Sequence, residues 1–288
     1  MIALLLSIVL ASPGEMFLRF NIPQLAREHA QSMLDKNPNN EAAHAQIAIS
    51  LCRLGRYNDA LPHFLFAQGT SLYPVRLHEY HADALRYTGD VEKAISLRSE
   101  LLMDSKIPVG IHPRLLAGMV DDWRYAGEIE RAFDIAFRLM SKHPNAALSY
   151  AVMAQLYLDM GDTQEAFFYI WRGRRKVQNT RTEEAYARYL LEIGYPDLAE
   201  QHIRIFFENN VRNSLLELYA QSKLEAYGPE KALTLLNRNK FKGNRSPGVL
   251  RIRAKAYEQL GKDKGAQEIL EFLQQTYPSS SWVLSQQK

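Results

Sequence analysis

The sequence predicts an all-α solenoid of about 7–8 helix–turn–helix repeats, and three spacings predict it. Alanine recurs at Ala26, Ala60, Ala94, Ala132, Ala166, Ala199, Ala232 and Ala266, at intervals of 34, 34, 38, 34, 33, 33 and 34 residues. A near-constant period of that length marks supersecondary units stacked on one another. Five residues before the alanine stands a glycine: Gly55, Gly89, Gly127, Gly161, Gly194 and Gly261. Twelve before it the side chain is small: Ala48, Ala82, Val120, Ala154, Ala187, Ala220 and Ala254. Apolar residues three and four apart put one stripe on each of two helices. The glycine between them supplies the positive φ that ends the first helix, and the small residues let the two backbones approach.

Taken in order, the units differ in clarity. The first is the faintest, carried by Ala26, Ala30, Met33 and Pro38. The second, residues 41–74, holds the pattern through Ala48, Leu51, Gly55, Tyr57, Ala60, Phe64 and Ala67. The third keeps Leu85, Gly89 and Ala94 but has Arg98 where an apolar side chain is expected. Four extra residues around Ile107 and Ile111 follow it, a loop expected to bend the solenoid. The fourth carries Trp123, Gly127 and Ala132 and ends at Pro144, which cannot continue a helix. The fifth, residues 147–178, repeats Tyr157, Gly161, Ala166 and Ile170, and the sixth Leu190, Gly194, Ala199, Ile203 and Phe206. In the seventh the turn is Tyr227-Gly228-Pro229, one residue longer than its neighbours. The eighth, residues 247–278, closes with Tyr257, Gly261, Ala266, Leu270, Leu273 and Pro278.

Over roughly residues 12–278 these positions resemble the tetratricopeptide repeat family. The resemblance implies a right-handed superhelix whose concave wall is built by the first helix of each pair, and a task of holding other macromolecules. The chaperone-binding clamp of that family is not expected, because Ala45 and Ile49 stand where its first Lys and Asn would be.

Composition narrows the classes. A hydrophobic share of 47% excludes a disordered chain, and a net charge of +3 is too small to point to a polyanionic partner. A single cysteine, Cys52, rules out an internal disulfide and a cysteine-based zinc site. No apolar run reaches the ~20 residues of a membrane-spanning helix. Residues 1–11, MIALLLSIVLA, read either as a secretory signal peptide lacking its basic start or as an apolar helix covering the first repeat. Ser12, Pro13 and Glu15 then supply a helix start. The expectation is a single repeat domain, residues 12–288, with a short tail from 279 in which Trp282, Val283 and Leu284 fold back or join a partner. The location is periplasmic or exported on the first reading of residues 1–11, cytoplasmic on the second.

Constellations that could carry chemistry are weak. His78, Glu79, His81 and Asp83 imitate a zinc-peptidase helix, but its histidines belong four apart and here are three apart. Cys52 has His44 and His63 in its own unit but nothing to hold either as a base. The carboxylate pairs Asp121-Asp122 and Glu183-Glu184 sit on ordinary amphipathic helices. No glycine-rich phosphate loop occurs. No catalytic residue, cofactor or metal is therefore expected. Two basic stretches, 171–176 and 238–264, are read as solvated faces rather than RNA sites, since stacking aromatics do not alternate with the charges.

A partner is expected in the concave groove. Residues at i, i+4 and i+7 share a helix face, which selects Ala45, Ile49 and Cys52; Glu79, Asp83 and Arg86; Ala117, Asp121 and Arg124. The row continues through Ala151, Gln155 and Leu158; Glu184, Arg188 and Leu191; Glu217, Gln221 and Leu224; and Arg251, Lys255 and Glu258. The wall thus begins apolar, turns acidic and ends basic, which predicts an extended or helical peptide anchored by apolar contacts at the N-terminal end. The function expected is a non-catalytic protein–protein scaffold or adaptor, placed by analogy in envelope assembly or secretion if exported. The alternatives are an RNA-binding helical repeat using the basic C-terminal stretch and a cytoplasmic peptide-sensing regulator. Self-association through the terminal repeats is a further expectation.

Overall fold

A computed structural model describes residues 13–19, 22–67, 74–176, 179–207 and 212–278. The apolar residues 1–11, Ser12 and the tail with Trp282, Val283 and Leu284 lie outside the described residues. Sixteen α-helices and no strand are found among the described residues. They pair as α1 (Pro13–Arg19) with α2 (Pro23–Leu34), and α3 (Glu41–Arg53) with α4 (Tyr57–Phe66). Next come α5 (Pro74–Tyr87) with α6 (Val91–Met103), α7 (His112–Ala126) with α8 (Ile129–Lys142), and α9 (Ala147–Asp159) with α10 (Thr163–Arg174). The last three pairs are α11 (Thr180–Glu192) with α12 (Pro196–Phe207), α13 (Asn213–Tyr227) with α14 (Pro229–Leu236), and α15 (Pro247–Gln259) with α16 (Asp263–Thr276).

Every repeat alanine, from Ala26 to Ala266, is at most 2% exposed, as are the small residues twelve positions earlier. A larger side chain at either place would push the paired helices apart. The turn has one recurring form. The N–H groups of Arg56, Asp90, Glu128, Asp162, Tyr195 and Lys262 donate to the carbonyls of Leu51, Leu85, Trp123, Tyr157, Leu190 and Tyr257 at 2.8–3.0 Å. These are six-to-one helix closures, which need a left-handed residue before the donor. The turn glycines supply it, with φ between 67° and 99°. The seventh unit departs because Pro229 has no N–H to donate. Gly228 instead runs extended at φ 85° and ψ 176°, and its own N–H caps Leu224.

The array closes on itself. The turn of the second unit meets the loop between α14 and α15, across most of the chain. Arg245 N–H donates to Leu54 O at 2.8 Å, and Tyr277 Oη donates to Gly55 O at 2.8 Å. Asn213 Nδ2 donates to Cys52 O at 3.1 Å and to Tyr57 Oη at 3.0 Å, while Asn244 Nδ2 reaches Arg53 O at 3.4 Å. A Cβ on Gly55 would stand 2.5 Å from Ser246 Cα and 2.8 Å from Arg245 C, so only glycine fits the approach. Leu250, Leu273 and Tyr277 join the same apolar cluster as Leu51, Tyr57 and Phe64. The second and last units thereby share one apolar cluster, which also takes in Leu18, Ala26 and Leu34 of the first unit.

Arg98, foreign to the repeat pattern, is 2% exposed and turns inward to carboxylates. It pairs with Asp83 at 2.6 Å and with Asp122 at 3.0 Å, while Arg86 also pairs with Asp122 at 2.9 Å. Consecutive helical residues point about 100° apart, which separates Asp122, in the core, from Asp121, on the concave face. The extra loop of the third unit forms a short 3₁₀ turn, Val109–Ile111, leading into α7.

Candidate functional site

Closure turns the concave face into a chamber of about 1040 Å³. Its wall is built mainly by the first helices of successive units, because their spacing of apolar residues buries one stripe against the paired helix and leaves another facing inward. From α5 come Arg76, Glu79, Asp83 and Arg86; from α7, Arg114, Asp121 and Arg124; from α9, Gln155 and Asp159. α11 adds Arg181, Glu184 and Arg188, α13 adds Asn213, Glu217 and Gln221, and α15 adds Arg251. Arg53, Arg98, Arg212 and Lys240 complete the basic set.

The wall carries ten arginines and one lysine against seven carboxylates. The rest of the chain carries 24 basic and 25 acidic residues, so the net positive charge of the protein resides in the chamber. Ion pairs run from helix to helix around it. Arg114 meets Glu79 at 2.6 Å, Arg124 meets Asp159 at 2.6 Å, Arg188 meets Asp159 at 2.7 Å and Arg251 meets Glu217 at 2.7 Å. Arg181 reaches across to Asp121, linking α11 to α7.

These fields shift the carboxyls in opposite senses. Burial alone would raise Asp121, but Arg181, Arg86 and Arg124 together hold it at about 2. Asp159 is likewise held down by Arg124 and Arg188 against the effect of burial. Burial wins at Glu184, which is raised despite Arg212 and Arg181, and at Asp122, pushed up to about 6 despite Arg98 and Arg86. The Nη1 of Arg181 and the Oε1 of Gln155 are buried at the wall with no hydrogen-bond partner in the protein.

Of the residues selected from the sequence, Cys52, Glu79, Asp83, Arg86, Asp121, Arg124, Gln155, Arg188 and Arg251 line the chamber. Ala45 and Ile49 do not: both are buried in the apolar cluster with Leu18 and Leu77, which leaves Cys52 alone of that predicted trio on the wall. Leu158 is buried as well, and Lys255 is exposed away from the chamber. The arginines missed by the sequence reading, Arg76, Arg114 and Arg181, stand three residues before Glu79, Ala117 and Glu184. One more helical turn of the same i, i+3 row would have found them.

The groups considered for chemistry are occupied structurally. Cys52 is buried, points its thiol at Tyr80 O at 3.6 Å, and burial raises its pKa. His44 and His63 bond each other through Nδ1 at 2.8 Å rather than approaching Cys52. His81 stacks on Phe64 with ring centroids 4.7 Å apart, and burial followed by His78 lowers it to about 4. Among the described residues no three His, Cys, Asp or Glu side chains converge as metal ligands would.

No family model matches the sequence, and no curated protein matches it. Solved structures do. A chain in the crystal structure of the APC/C hetero-tetramer Cut9–Hcn1 is 12% identical with a TM-score of 0.54, over 90% of this chain and 51% of that one. This chain thus spans about half the length of that relative. A tetratricopeptide repeat protein from Parabacteroides merdae is 13% identical with a TM-score of 0.50, over 82% of this chain and 93% of that one. At these identities the likeness establishes the fold. No helix among the described residues is long and apolar enough to cross a membrane.

Proposed function

Because the chain is a tetratricopeptide-repeat solenoid, we propose that it is a non-catalytic protein-interaction module that holds an acidic segment of a partner protein in its chamber. The observation that carries this reading is the wall itself, where eleven basic side chains stand against seven lining carboxylates and Asp122, buried behind Arg86 and Arg98. At about 1040 Å³ the chamber sits at the upper end of the small-molecule range, roughly 300–1,000 Å³. Its lining is rich in charged groups, which disfavours a wholly hydrophobic metabolite. A helix about 10 Å across would fill it with two or three turns. Carboxylates on such a segment would exchange with the internal ones for guanidinium partners, and bidentate geometry would fix its register.

The RNA alternative is not favoured. The cations of residues 238–264 are dispersed: Lys240 and Arg251 face the chamber, and Arg253 donates to Leu236 O at 2.5 Å and Asn237 Oδ1 at 2.8 Å. Export remains part of the proposal on the strength of residues 1–11, and N-terminal sequencing of the secreted or periplasmic chain tests it.

The binding reading is tested with fluorescent peptides of ten glutamates or ten lysines, titrated by anisotropy at low salt. The acidic peptide binds, weakens as salt rises, and loses most of its affinity in the Arg212→Glu, Lys240→Glu double variant. Failure of the acidic peptide to bind, or equal binding by the double variant, overturns the proposal.

A further inference from the structure

The second helices of units four, five and six share an unusual outer surface. Residues 137–142 of α8, 168–176 around the end of α10, and 201–207 of α12 contain seven Lys and Arg and no Asp or Glu. The acids of these helices, Glu130, Asp134, Glu165, Asp197 and Glu200, all lie nearer their N-terminal ends. Cations in a last helical turn complement the helix dipole, but that does not explain the apolar residues set among them. Phe137, Trp171 and Ile205 are 52%, 49% and 70% exposed, and Phe168 is also exposed. Phe137 and Trp171 occupy the same repeat position, as do Arg138, Arg172 and Ile205, so the patch forms a row across three consecutive units.

The aromatics and charges are interleaved, contrary to the reading of residues 171–176 from sequence. Arg172 lies over Phe168 at 4.3 Å and Arg175 over Trp171 at 4.5 Å. Each of those contacts occupies one ring face that a nucleic-acid base would stack upon. The ring edges and the far ends of the side chains remain open. An exposed set of aromatic and aliphatic side chains surrounded by guanidinium and ammonium groups suits the boundary between lipid headgroups and acyl chains.

We propose that this outer face of α8, α10 and α12 docks on a membrane surface rich in anionic phospholipid. Trp171, Phe137 and Ile205 enter the headgroup layer, while Arg138, Arg172 and Arg175 engage lipid phosphates. The contact is peripheral and lies on the side away from the chamber, so a docked molecule keeps its interior accessible.

The full chain is sedimented with vesicles of phosphatidylglycerol and phosphatidylcholine in equal parts, and with vesicles of phosphatidylcholine alone. Association is expected with the anionic vesicles only, and it declines with salt. Each cation near an anionic surface is worth roughly fivefold in partitioning, so Arg172→Gln with Arg175→Gln lowers association by about 25-fold. A charge-matched control, Lys231→Gln with Lys264→Gln, removes the same charge elsewhere and leaves association unchanged; Trp171→Ala and Ile205→Ser each reduce it. All these residues are exposed, and circular dichroism verifies that each variant folds. Absence of binding to anionic vesicles at low salt overturns the proposal. So do equal losses in the control, binding of single-stranded RNA abolished by the same substitutions, or a dimer formed through this face.

Discussion

Closure of the solenoid can be tested with two glycines that share one backbone conformation. Gly55 and Gly261 both have φ of +67°, but a Cβ at Gly261 meets nothing within 4 Å, whereas at Gly55 it meets the backbone of Arg245 and Ser246. Replacing either by alanine forces an L-residue into the left-handed region, at about 1–2 kcal/mol. Gly261→Ala should lose that and no more. Gly55→Ala must also displace the loop between α14 and α15, which separates Arg245 N–H from Leu54 O and Tyr277 Oη from Gly55 O. Two neutral hydrogen bonds at about 1 kcal/mol each bring its total to about 3–4 kcal/mol. Urea denaturation measures both losses, and hydrogen exchange at the Arg245 amide reports the closure locally. Exchange there accelerates in Gly55→Ala and not in Gly261→Ala, and the radius of gyration rises in the first alone. Equal losses with an unchanged Arg245 amide would refute the argument.

The buried cluster of Arg86, Arg98 and Asp122 gives a second expectation. Asp122→Ala strands two buried guanidinium groups on Asp83 and should cost about 3–5 kcal/mol by denaturant titration. Arg98→Met combined with Asp122→Leu should recover part of that loss, and no recovery would count against the packing described. The third concerns pH. Asp121 sits at about 2 in the folded chain against 3.8 for its ordinary value, so ionisation stabilises the fold by about 2 kcal/mol. Because the folded pKa is the lower one, that contribution is full above pH 4 and fades as pH falls towards 2. Asp121→Asn should therefore differ most from the parent at pH 7 and converge with it near pH 2; a constant gap over that range would contradict the assignment.

The repeat was legible because its determinants are local. A small residue where helices cross, and a glycine where a six-to-one bond must close, recur with the period and need no partner from elsewhere. The exception was legible for the same reason, since Pro229 after Gly228 announces a turn that cannot close in that way. The inward charges of α5 and α7 followed from helical periodicity alone. What failed involved placement across units. Ala45 and Ile49 share the inward stripe of α3, but the chain before it returns over that helix: Arg53 donates to Leu18 O, and a Cβ on Gly14 would collide with Gln46. Arg98 announced itself as a departure, yet its partner Asp122 looked like half of an ordinary carboxylate pair.

Closure left no periodic trace at all. It depends on the small rotation between successive units, which accumulates over six repeats before Tyr277 meets Gly55, 222 residues earlier. Asn213, Asn244 and Tyr277 fall outside the repeated positions. All three donate to backbone carbonyls, which any sequence provides, and Asn213 donates also to Tyr57 Oη. The consequence for function is direct. An open superhelix offers a groove along which a long peptide lies, whereas this one bounds its groove at both ends and concentrates charge inside. The contacts that close it are neutral hydrogen bonds and an edge-on pairing of Tyr57 with Tyr277, 6.5 Å between ring centroids. The ion pairs belong instead to the wall. Salt therefore acts first on the wall, and under the proposed function the closure, which carries no charge, sets how long an acidic segment the chamber admits.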